Sequence, residues 1–231
     1  MGRKLGRPKA GQETLSRERI LNIALQLIDR EGVEAFSMRR LASELGVDPM
    51  AIYYHLPNKR AVLTSVIERV FNELQLPQIP DTTWQNQVRT FAKSYCKLTQ
   101  THPNLVLYLV SDAESAGIAA LAANEALYTA LISAGLSPRM VVRAADLVVD
   151  YLNGFALGER SGRLGQPGER QELLTQLQQH PPEQFPSMHH IFSSLTENEM
   201  FANFEAGIDI ILAGIEASTH NTVFYAKSAD G

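Results

Sequence analysis

The spacing of apolar residues constrains this chain more than any other sequence feature, because it repeats with the period of an α-helix along most of the length. One helical face near the start carries Ile20, Ala24, Leu27 and Ile28. A longer stripe near the end carries Phe201, Phe204, Ile208, Ile211, Leu212 and Ile215. No segment alternates apolar and polar residues over a useful length. The sequence therefore predicts an all-α fold.

Start and stop signals divide the first 60 residues into short helices. Ser16, Ser37 and Asp48 are suitable N-cap residues, and a proline follows Asp48 at the first helical position. Gly32 and Gly46 are suitable ends, because glycine readily takes the left-handed conformation that closes a helix. These signals predict helices over residues 16–31, 37–45 and 48–56, and a fourth helix over 59–76.

Beyond residue 80 the pattern stays helical, and proline and glycine mark its breaks. The predicted helices are 83–101, 104–110, 113–134, 138–159 and 197–218, and residues 160–187 are predicted to form a long loop with a short helix near 169–179. Residues 1–15 have no periodic apolar face, which predicts a flexible basic arm. We therefore divide the chain into this arm, a head of residues 16–62 and a helical body of residues 63–231.

The charge of the chain is unevenly distributed along its length. Residues 1–60 contain 11 Lys and Arg against 7 Asp and Glu, a net charge of +4. Residues 61–231 contain 10 against 18, a net charge of -8, which gives -4 for the whole chain. A basic head on an acidic body indicates an anionic partner for the head alone.

The cellular setting follows from cysteine usage and from the lengths of the apolar runs. The single cysteine, Cys96, excludes an intrachain disulfide and a Cys-rich zinc site, and it favours a reducing cytoplasm. The apolar run 208–215 is too short to span a membrane and carries a charge. The basic first nine residues are not followed by an apolar run, so no signal peptide is expected. We expect a cytoplasmic protein with no membrane partner.

Residues 37–55 combine two short helices with a tight turn at Gly46, the arrangement of a helix-turn-helix. Leu41, Leu45 and Ile52 would supply the small shared core. The remaining positions on and beside this helix pair are Arg39, Arg40, Met50, Ala51, Tyr53, Tyr54, His55 and Lys59. Arginine can read guanine, small apolar groups can contact thymine methyls, and tyrosine hydroxyls can anchor phosphates. The pattern predicts that the second helix enters a DNA major groove.

Structural roles compete with this interpretation at several positions. Tyr53 and Tyr54 could be core aromatics, because neighbours on a helix point in different directions. Arg39 could be a solvated surface residue, and His55 could only cap the end of its helix.

Residues 20–63 resemble the DNA-binding domain of the tetracycline-repressor (TetR) family. The matching segments are Ser37-Met38-Arg39-Arg40-Leu41-Ala42, Leu45-Gly46-Val47, Ile52-Tyr53-Tyr54-His55-Leu56 and Asn58-Lys59-Arg60. The succession Leu-Gly-Val, Tyr-x-His and Asn-Lys-Arg is the discriminating part, since the match extends over three helices and the start of a fourth. A thinner resemblance continues through residues 84–94 and through the last helix, 204–216.

The resemblance implies a transcriptional repressor that binds a palindromic operator in double-stranded DNA as a homodimer and is released by a small-molecule effector. The operator contacts that it implies are Met38, Arg39, Pro49, Met50, Ala51, Tyr53, Tyr54, His55 and Lys59. In this scheme Arg39 reads a guanine, whereas Tyr53, His55 and Lys59 hold the DNA backbone. The last two long helices, 138–159 and 197–218, would form a four-helix bundle between two subunits.

Departures from the family's founding member narrow these expectations. Gln75, Phe91, Tyr95 and Leu109 stand where that protein places polar drug contacts and a metal-binding histidine. A magnesium-chelated tetracycline is therefore not expected as the ligand. The recognition helix begins with Pro-Met-Ala, which differs from the founding member and predicts a different operator sequence.

Aromatic residues of the body are the candidates for an effector site. They are Phe91, Tyr95, Tyr108, Tyr128, Tyr151 and Phe155. Together they could line an apolar cavity between helices, the usual form of a ligand site, although each alone could be an ordinary core residue. Asp146, Asp150 and Asn153 could offer polar anchors or could serve the surface and the dimer bundle. We expect a small, largely apolar effector.

No pattern in the sequence supports an enzyme, a metal or a cofactor. His189 and His190 are adjacent, and adjacent residues on a helix do not converge on one ion; no carboxylate is spaced to complete a site with them. The nucleophile motif of serine hydrolases and the histidine pair of metalloproteases are absent. The alternatives to a repressor are an activator, an architectural DNA-binding protein and, more remotely, a helical small-molecule carrier. A carrier would lack the salt-sensitive DNA affinity of the other classes.

Overall fold

The computed structural model describes residues 14–74, 83–111, 117–160, 169–195 and 204–225. They form α1 (Arg17–Glu31), α2 (Met38–Leu45), α3 (Pro49–His55), α4 (Lys59–Phe71), α5 (Trp84–Thr101), α6 (Pro103–Ser111), α7 (Gly117–Ser133), α8 (Pro138–Arg160), α9 (Glu169–Leu177), α10 (Pro186–Ser194) and α11 (Phe204–Tyr225). These residues contain no strand, so the all-α prediction is confirmed. Within the same ranges, every helix is too short or too polar to cross a membrane.

The first four helices begin where the sequence signals predict. The side chains of Ser16, Ser37, Asp48 and Asn58 each accept a hydrogen bond from a backbone N–H in the first turn of their own helix. Such a cap stabilises a helix by about 1 kcal/mol, because it satisfies a donor that has no partner within the helix. Gly46 closes α2 in the left-handed conformation, with φ at 68°, and this sharp turn directs the chain into α3.

Aliphatic side chains form the core of the head. Ile20 and Leu27 of α1, Leu41 of α2 and Ile52 of α3 are almost completely buried. Burial of one such side chain contributes about 1.5–3 kcal/mol. Ile52 matters most for α3, because it is the one residue of that seven-residue helix that is buried.

The body is arranged around α7, which packs against α4, α5 and α8. The deepest residues of this layer include Leu105, Leu127, Leu131 and Leu152. Helix α11 packs against α8 and α5, and α9 and α10 pack against each other. Because α4 also packs against α1, it is a structural link between the head and the body.

The ends of two helices and the presence of a third differ from the prediction. Helix α4 ends at Phe71 rather than near residue 76, since Asn72 is its C-cap. Helix α10 is absent from the prediction, which places Pro186 in a loop. Pro186 stands instead in the first turn of α10, where its missing N–H costs nothing. Helix α11 continues to Tyr225 beyond the predicted end at 218. The predicted helical residues 197–203 and most of the predicted arm, 1–13, lie outside the described residues.

Candidate nucleic-acid interface

Helix α3 is held by both its start and its buried side. The Asp48 Oδ1 atom accepts a hydrogen bond from the backbone N–H of Met50 at 2.8 Å, and Pro49 occupies the first turn. Ile52 inserts into the core with 0% of its surface exposed. The cap and this buried side chain set the rotation of α3 about its axis, so that its opposite side faces solvent.

Large side chains cover the solvent side of α3. Met50 is 71% exposed, Tyr53 40% and Tyr54 89%. We call these three residues the reading face. A core role for Tyr54, which the sequence left open, is wrong. Pro49 and Ala51 border the reading face and are half-buried. An exposed cluster of this kind on a rigid helix is typical of a binding surface.

The adjacent Arg39 and Arg40 have different surroundings. The Arg40 guanidinium lies 2.7 Å from Glu31 and 2.7 Å from Glu44. Hydrogen bonds from Arg40 and Arg30 lower the pKa of both carboxyls. Arg39 is exposed, and within the described part of the chain its side chain has no hydrogen bond or ion pair. Arg39 is therefore available to an anionic partner, whereas the charge of Arg40 is already neutralised.

Lys59 and His55 lie at the junction between α3 and α4. The Lys59 Nζ atom donates to the Val33 carbonyl oxygen at 3.1 Å and lies 5.9 Å from the centroid of the Phe36 ring. This contact positions the ammonium at the start of α4 and uses one of its three donors. The half-buried ring of His55, the last residue of α3, meets the Tyr54 ring edge-on at 5.6 Å.

Met38 occupies a different environment from the other predicted DNA contacts. Only 8% of its surface is exposed, and its side chain belongs to the core of the head. Any contact from Met38 to DNA would therefore come from its main-chain N–H at the start of α2.

The structure brings four of the six predicted effector residues together in two groups. Phe91 and Tyr95 of α5 stack at 6.2 Å and are buried. Tyr151 and Phe155 of α8 form the second group, with the ring of Phe204 at 6.1 and 5.1 Å respectively. Tyr108 and Tyr128 are half-buried residues that pack against the main core. Of the positions that depart from the founding member, Leu109 is buried and Gln75 lies outside the described residues.

A hydrogen bond joins α5 and α8, the helices that carry these two groups. The Tyr95 hydroxyl donates to Asn153 Oδ1 at 2.7 Å and so joins α5 to α8. Burial raises the pKa of Tyr95 to about 12, so the phenol stays protonated and remains a donor at neutral pH. Burial also raises the pKa of Tyr151, whose hydroxyl donates to the Phe204 carbonyl oxygen at 3.1 Å.

Sequence reasoning missed the polar contacts that join the head to the body. The Asn104 side chain donates to the carbonyl oxygens of Ile28 and Asp29 at 3.0 and 2.9 Å. The His102 Nδ1 atom lies 2.9 Å from the Asp29 carboxylate. These contacts cap the last turn of α1 with residues of α6 and of the turn before it. The partners are more than 70 residues apart, and no local pattern relates them.

Comparison with known proteins matches both parts of the chain. Residues 20–66 match the model of bacterial regulatory proteins of the tetR family, and residues 76–219 match the tetracyclin repressor-like C-terminal domain. An HTH-type transcriptional regulator of Saccharopolyspora erythraea is 29% identical over 205 residues, which cover 88% of this chain and 86% of that protein. The HTH-type transcriptional repressor DrrR1 of Streptomyces coeruleorubidus is 30% identical over 223 residues, which cover 91% and 81%.

Solved structures show the same similarity. The crystal structure of apo ActR from Streptomyces coelicolor matches with a TM-score of 0.75 and 29% identity, covering 91% of this chain and 99% of that chain. ActR has also been solved in complex with actinorhodin, with a TM-score of 0.74.

This chain belongs to the TetR family of bacterial transcriptional regulators. It is a DNA-binding regulator with an N-terminal helix-turn-helix domain and a helical C-terminal domain, and it is not an enzyme.

Proposed function

We propose that this protein is a homodimeric repressor that binds a palindromic operator through the reading face and is released by a small, largely apolar effector. The observation that carries this proposal is the exposure of Met50, Tyr53 and Tyr54 on a capped helix. The preceding helix adds the exposed Arg39, which has no acidic partner among the residues that the structure describes. A regulator of bacterial genes meets its DNA in the cytoplasm, where we place it.

The operator contacts divide into base and backbone contacts. The long side chain of Met50 and the half-buried Ala51 suit thymine methyl groups, and Arg39 suits the acceptor pair of guanine. The Tyr53 hydroxyl, His55 and the remaining donors of Lys59 suit phosphate oxygens. Pro49 and Tyr54 complete the contact surface, and Met38 would contribute only its backbone N–H.

The dimer would form through exposed apolar faces of α8 and α11. On α8 the exposed residues Leu147, Gly154 and Leu157 lie on one side, and on α11 Ile210, Ala213 and Ala217 recur at helical spacing. We call these six residues the bundle stripe. Ile210 is 74% exposed and Leu147 is 51% exposed in the single chain. A two-fold axis that pairs these faces would place two copies of α3 one helical turn of DNA apart.

The effector would bind in the body and act on the head through α4 and the contacts of α6. The aromatic wall of the effector site would be the stacked pair Phe91–Tyr95 and the group around Tyr151. The hydrogen-bonded side chains of Tyr95 and Asn153 would provide its polar contact. ActR, which is bound to actinorhodin in one of its structures, shows that a similar fold takes a small-molecule ligand. A preference of about 2–3 kcal/mol for the non-binding conformation would weaken operator binding about 30–150-fold.

The test is a footprint of the purified protein on the DNA that flanks its own gene, with the affinity measured by anisotropy at two salt concentrations. We expect one protected palindrome whose half-site centres lie about 34–36 Å apart, with an affinity that falls steeply as salt rises. Protection of many unrelated sites would indicate an architectural protein instead. No binding at low salt by a protein that mass spectrometry shows to be free of ligand would contradict the proposal.

A further inference from the structure

A cleft of about 350 Å³ lies between the end of α4 and the solvent-facing side of α5. Val70, Leu74 and Leu98 form its apolar wall, and Thr90, Ser94 and Thr101 add hydroxyl groups. The residues that line it include none of the six aromatic residues predicted for the effector. The cleft is therefore separate from the aromatic groups that the proposed function uses.

The charge in this cleft is opposite to the charge of the body around it. Lys93 and Lys97 stand one helical turn apart on α5 and both line the cleft, against a single carboxylate, Glu73. His102 completes the lining. Residues 61–231 contain 18 acidic and only 10 basic residues. Two of these ten basic side chains line this one cleft. With two lysines against one carboxylate the lining is positive on balance, and a concave site with such an excess concentrates ligands of the opposite sign.

The two ammonium groups are available to a ligand in different degrees. Lys97 is exposed, and it has no acidic partner among the residues that the structure describes. Lys93 lies 2.8 Å from Glu205, but both side chains of this pair are more than half exposed. Exposed pairs of this kind contribute little to stability, so a ligand can replace Glu205 at small cost.

We propose that this cleft is a second small-molecule site, selective for a compact ligand with one carboxylate and a short apolar body. The carboxylate lies between Lys97 and Lys93, where charge-assisted hydrogen bonds are strong. The apolar body lies against Val70, Leu74 and Leu98. Glu73, the acidic residue of the lining, repels further negative charge. It therefore disfavours ligands that carry more than one carboxylate.

The position of the cleft gives such a ligand a route to the head. Val70 belongs to the end of α4, and His102 holds Asp29 at the end of α1. A ligand in the cleft therefore contacts both connections between the two domains. This regulatory consequence rests on the proposed function, whereas binding to the cleft can be measured without DNA.

The experiment is isothermal titration of the full chain with octanoate, octanol and octylammonium, which share one apolar body and differ in charge. We expect octanoate to bind saturably with one site per subunit, and the other two to bind at least about tenfold more weakly. Lys97→Gln should weaken octanoate binding about five- to tenfold, whereas Lys97→Arg should retain it. Glu73→Gln should strengthen octanoate binding a few-fold, because it removes the repulsion between one nearby negative charge and the carboxylate of the ligand.

The matched control is Arg139→Gln, which removes one positive charge from an exposed position on α8 outside the cleft. It should leave octanoate binding unchanged. The proposal is overturned if octanol binds as tightly as octanoate and Lys97→Gln weakens both alike, if Lys97→Gln and Arg139→Gln have equal effects on octanoate binding, or if Glu73→Gln does not strengthen it. None of these results depends on whether the protein binds an operator.

Discussion

The reading face of the head and the bundle stripe of the body both expose large apolar side chains, but their electrostatic surroundings differ. Met50 and Tyr54 lie on the basic head, which also carries the exposed Arg39, a residue without an acidic partner in the described part of the chain. Leu147 and Ile210 lie on the acidic body, next in sequence to Asp146 and Asp209. The two surfaces are thus alike in exposure, and the sign of the nearby charge indicates whether the partner is a polyanion or a second protein surface.

The two surfaces also differ in how the chain holds them. The reading face rests on a seven-residue helix that depends on a cap and on one buried isoleucine. The bundle stripe rests on helices of 23 and 22 residues that pack against each other. We therefore expect the head to depend on local contacts, whereas the body can tolerate local changes until a helix–helix contact is lost.

The largest effect is expected from a charge placed in the bundle stripe. Ile210→Asp would bury an unpaired carboxylate in the dimer interface, at a cost of about 3–5 kcal/mol. The variant should sediment as a monomer, and its operator affinity should fall at least about a hundredfold. Leu121→Asp is the control, because Leu121 is 66% exposed on α7, outside the bundle stripe. A dimeric Ile210→Asp variant would show that the stripe is not the interface.

Gly207 of α11 lies directly against the Tyr151 side chain of α8. A Cβ atom added there would overlap the Tyr151 ring, which stacks on Phe204 and donates to its carbonyl oxygen. Gly207→Ala should therefore destabilise the protein by about 1–3 kcal/mol in urea unfolding.

Gly214 on the same helix provides the control when both alanine variants are made in the Ile210→Asp background, because a Cβ atom there meets open space within the chain and the neighbouring bundle stripe is then unpaired. Gly214→Ala should leave the free energy of unfolding unchanged or raise it by up to about 1 kcal/mol. Equal stability of the two alanine variants would contradict the close packing of α11 on α8.

Substitutions of the adjacent Arg39 and Arg40 separate DNA binding from folding in the head. Arg39→Ala should cost about 1–3 kcal/mol of operator binding and relax the base preference at one position per half-site, with no change in melting temperature. Arg40→Ala should mainly lower the melting temperature, because its partners are Glu31 and Glu44. Anisotropy and thermal melts of both variants separate the effects, and a reversal of the two patterns would refute the assigned roles.

The smallest effect concerns the pH dependence of the head. Folding lowers the pKa of Glu31 and Glu44 from the ordinary value of 4.5, through hydrogen bonds from Arg40 and Arg30. A carboxyl with a lowered pKa stabilises the native state above its ordinary pKa and loses this contribution as the pH falls through the folded value. Arg40→Gln should therefore reduce the drop in melting temperature between pH 7 and pH about 4, slightly since the groups are exposed. Arg39→Gln should leave that drop as it is in the wild type.

Much of the head was predictable from the sequence, because its signals are local. Ser16, Ser37 and Asp48 start helices as predicted, and Gly46 closes α2 in the predicted left-handed turn. The exposure of Tyr54 was not determined by the sequence, since a tyrosine on a short helix can point to either side.

The body was less predictable, because its important contacts are distant in the chain. Nothing near Asn104 indicates that its side chain would bond to the carbonyl oxygens of α1. A proline such as Pro186 can either interrupt a helix or occupy its first turn. Only the packing around it determines which of the two occurs. The division of the aromatic residues into two groups likewise depends on how α5, α8 and α11 meet.

The most direct test of the central claim is to cleave DNA from the reading face itself. With Cys96 replaced by serine, Met50→Cys would carry the only thiol, to which an iron chelate that generates hydroxyl radicals is attached. We expect two clusters of cleavage inside the protected palindrome, one in each half-site and about one helical turn apart. The same chelate at Leu121→Cys on the body should give no cleavage there. Cleavage from position 50 outside the protected site, or none at all from a bound protein, would contradict the assignment of α3 as the helix that reads DNA.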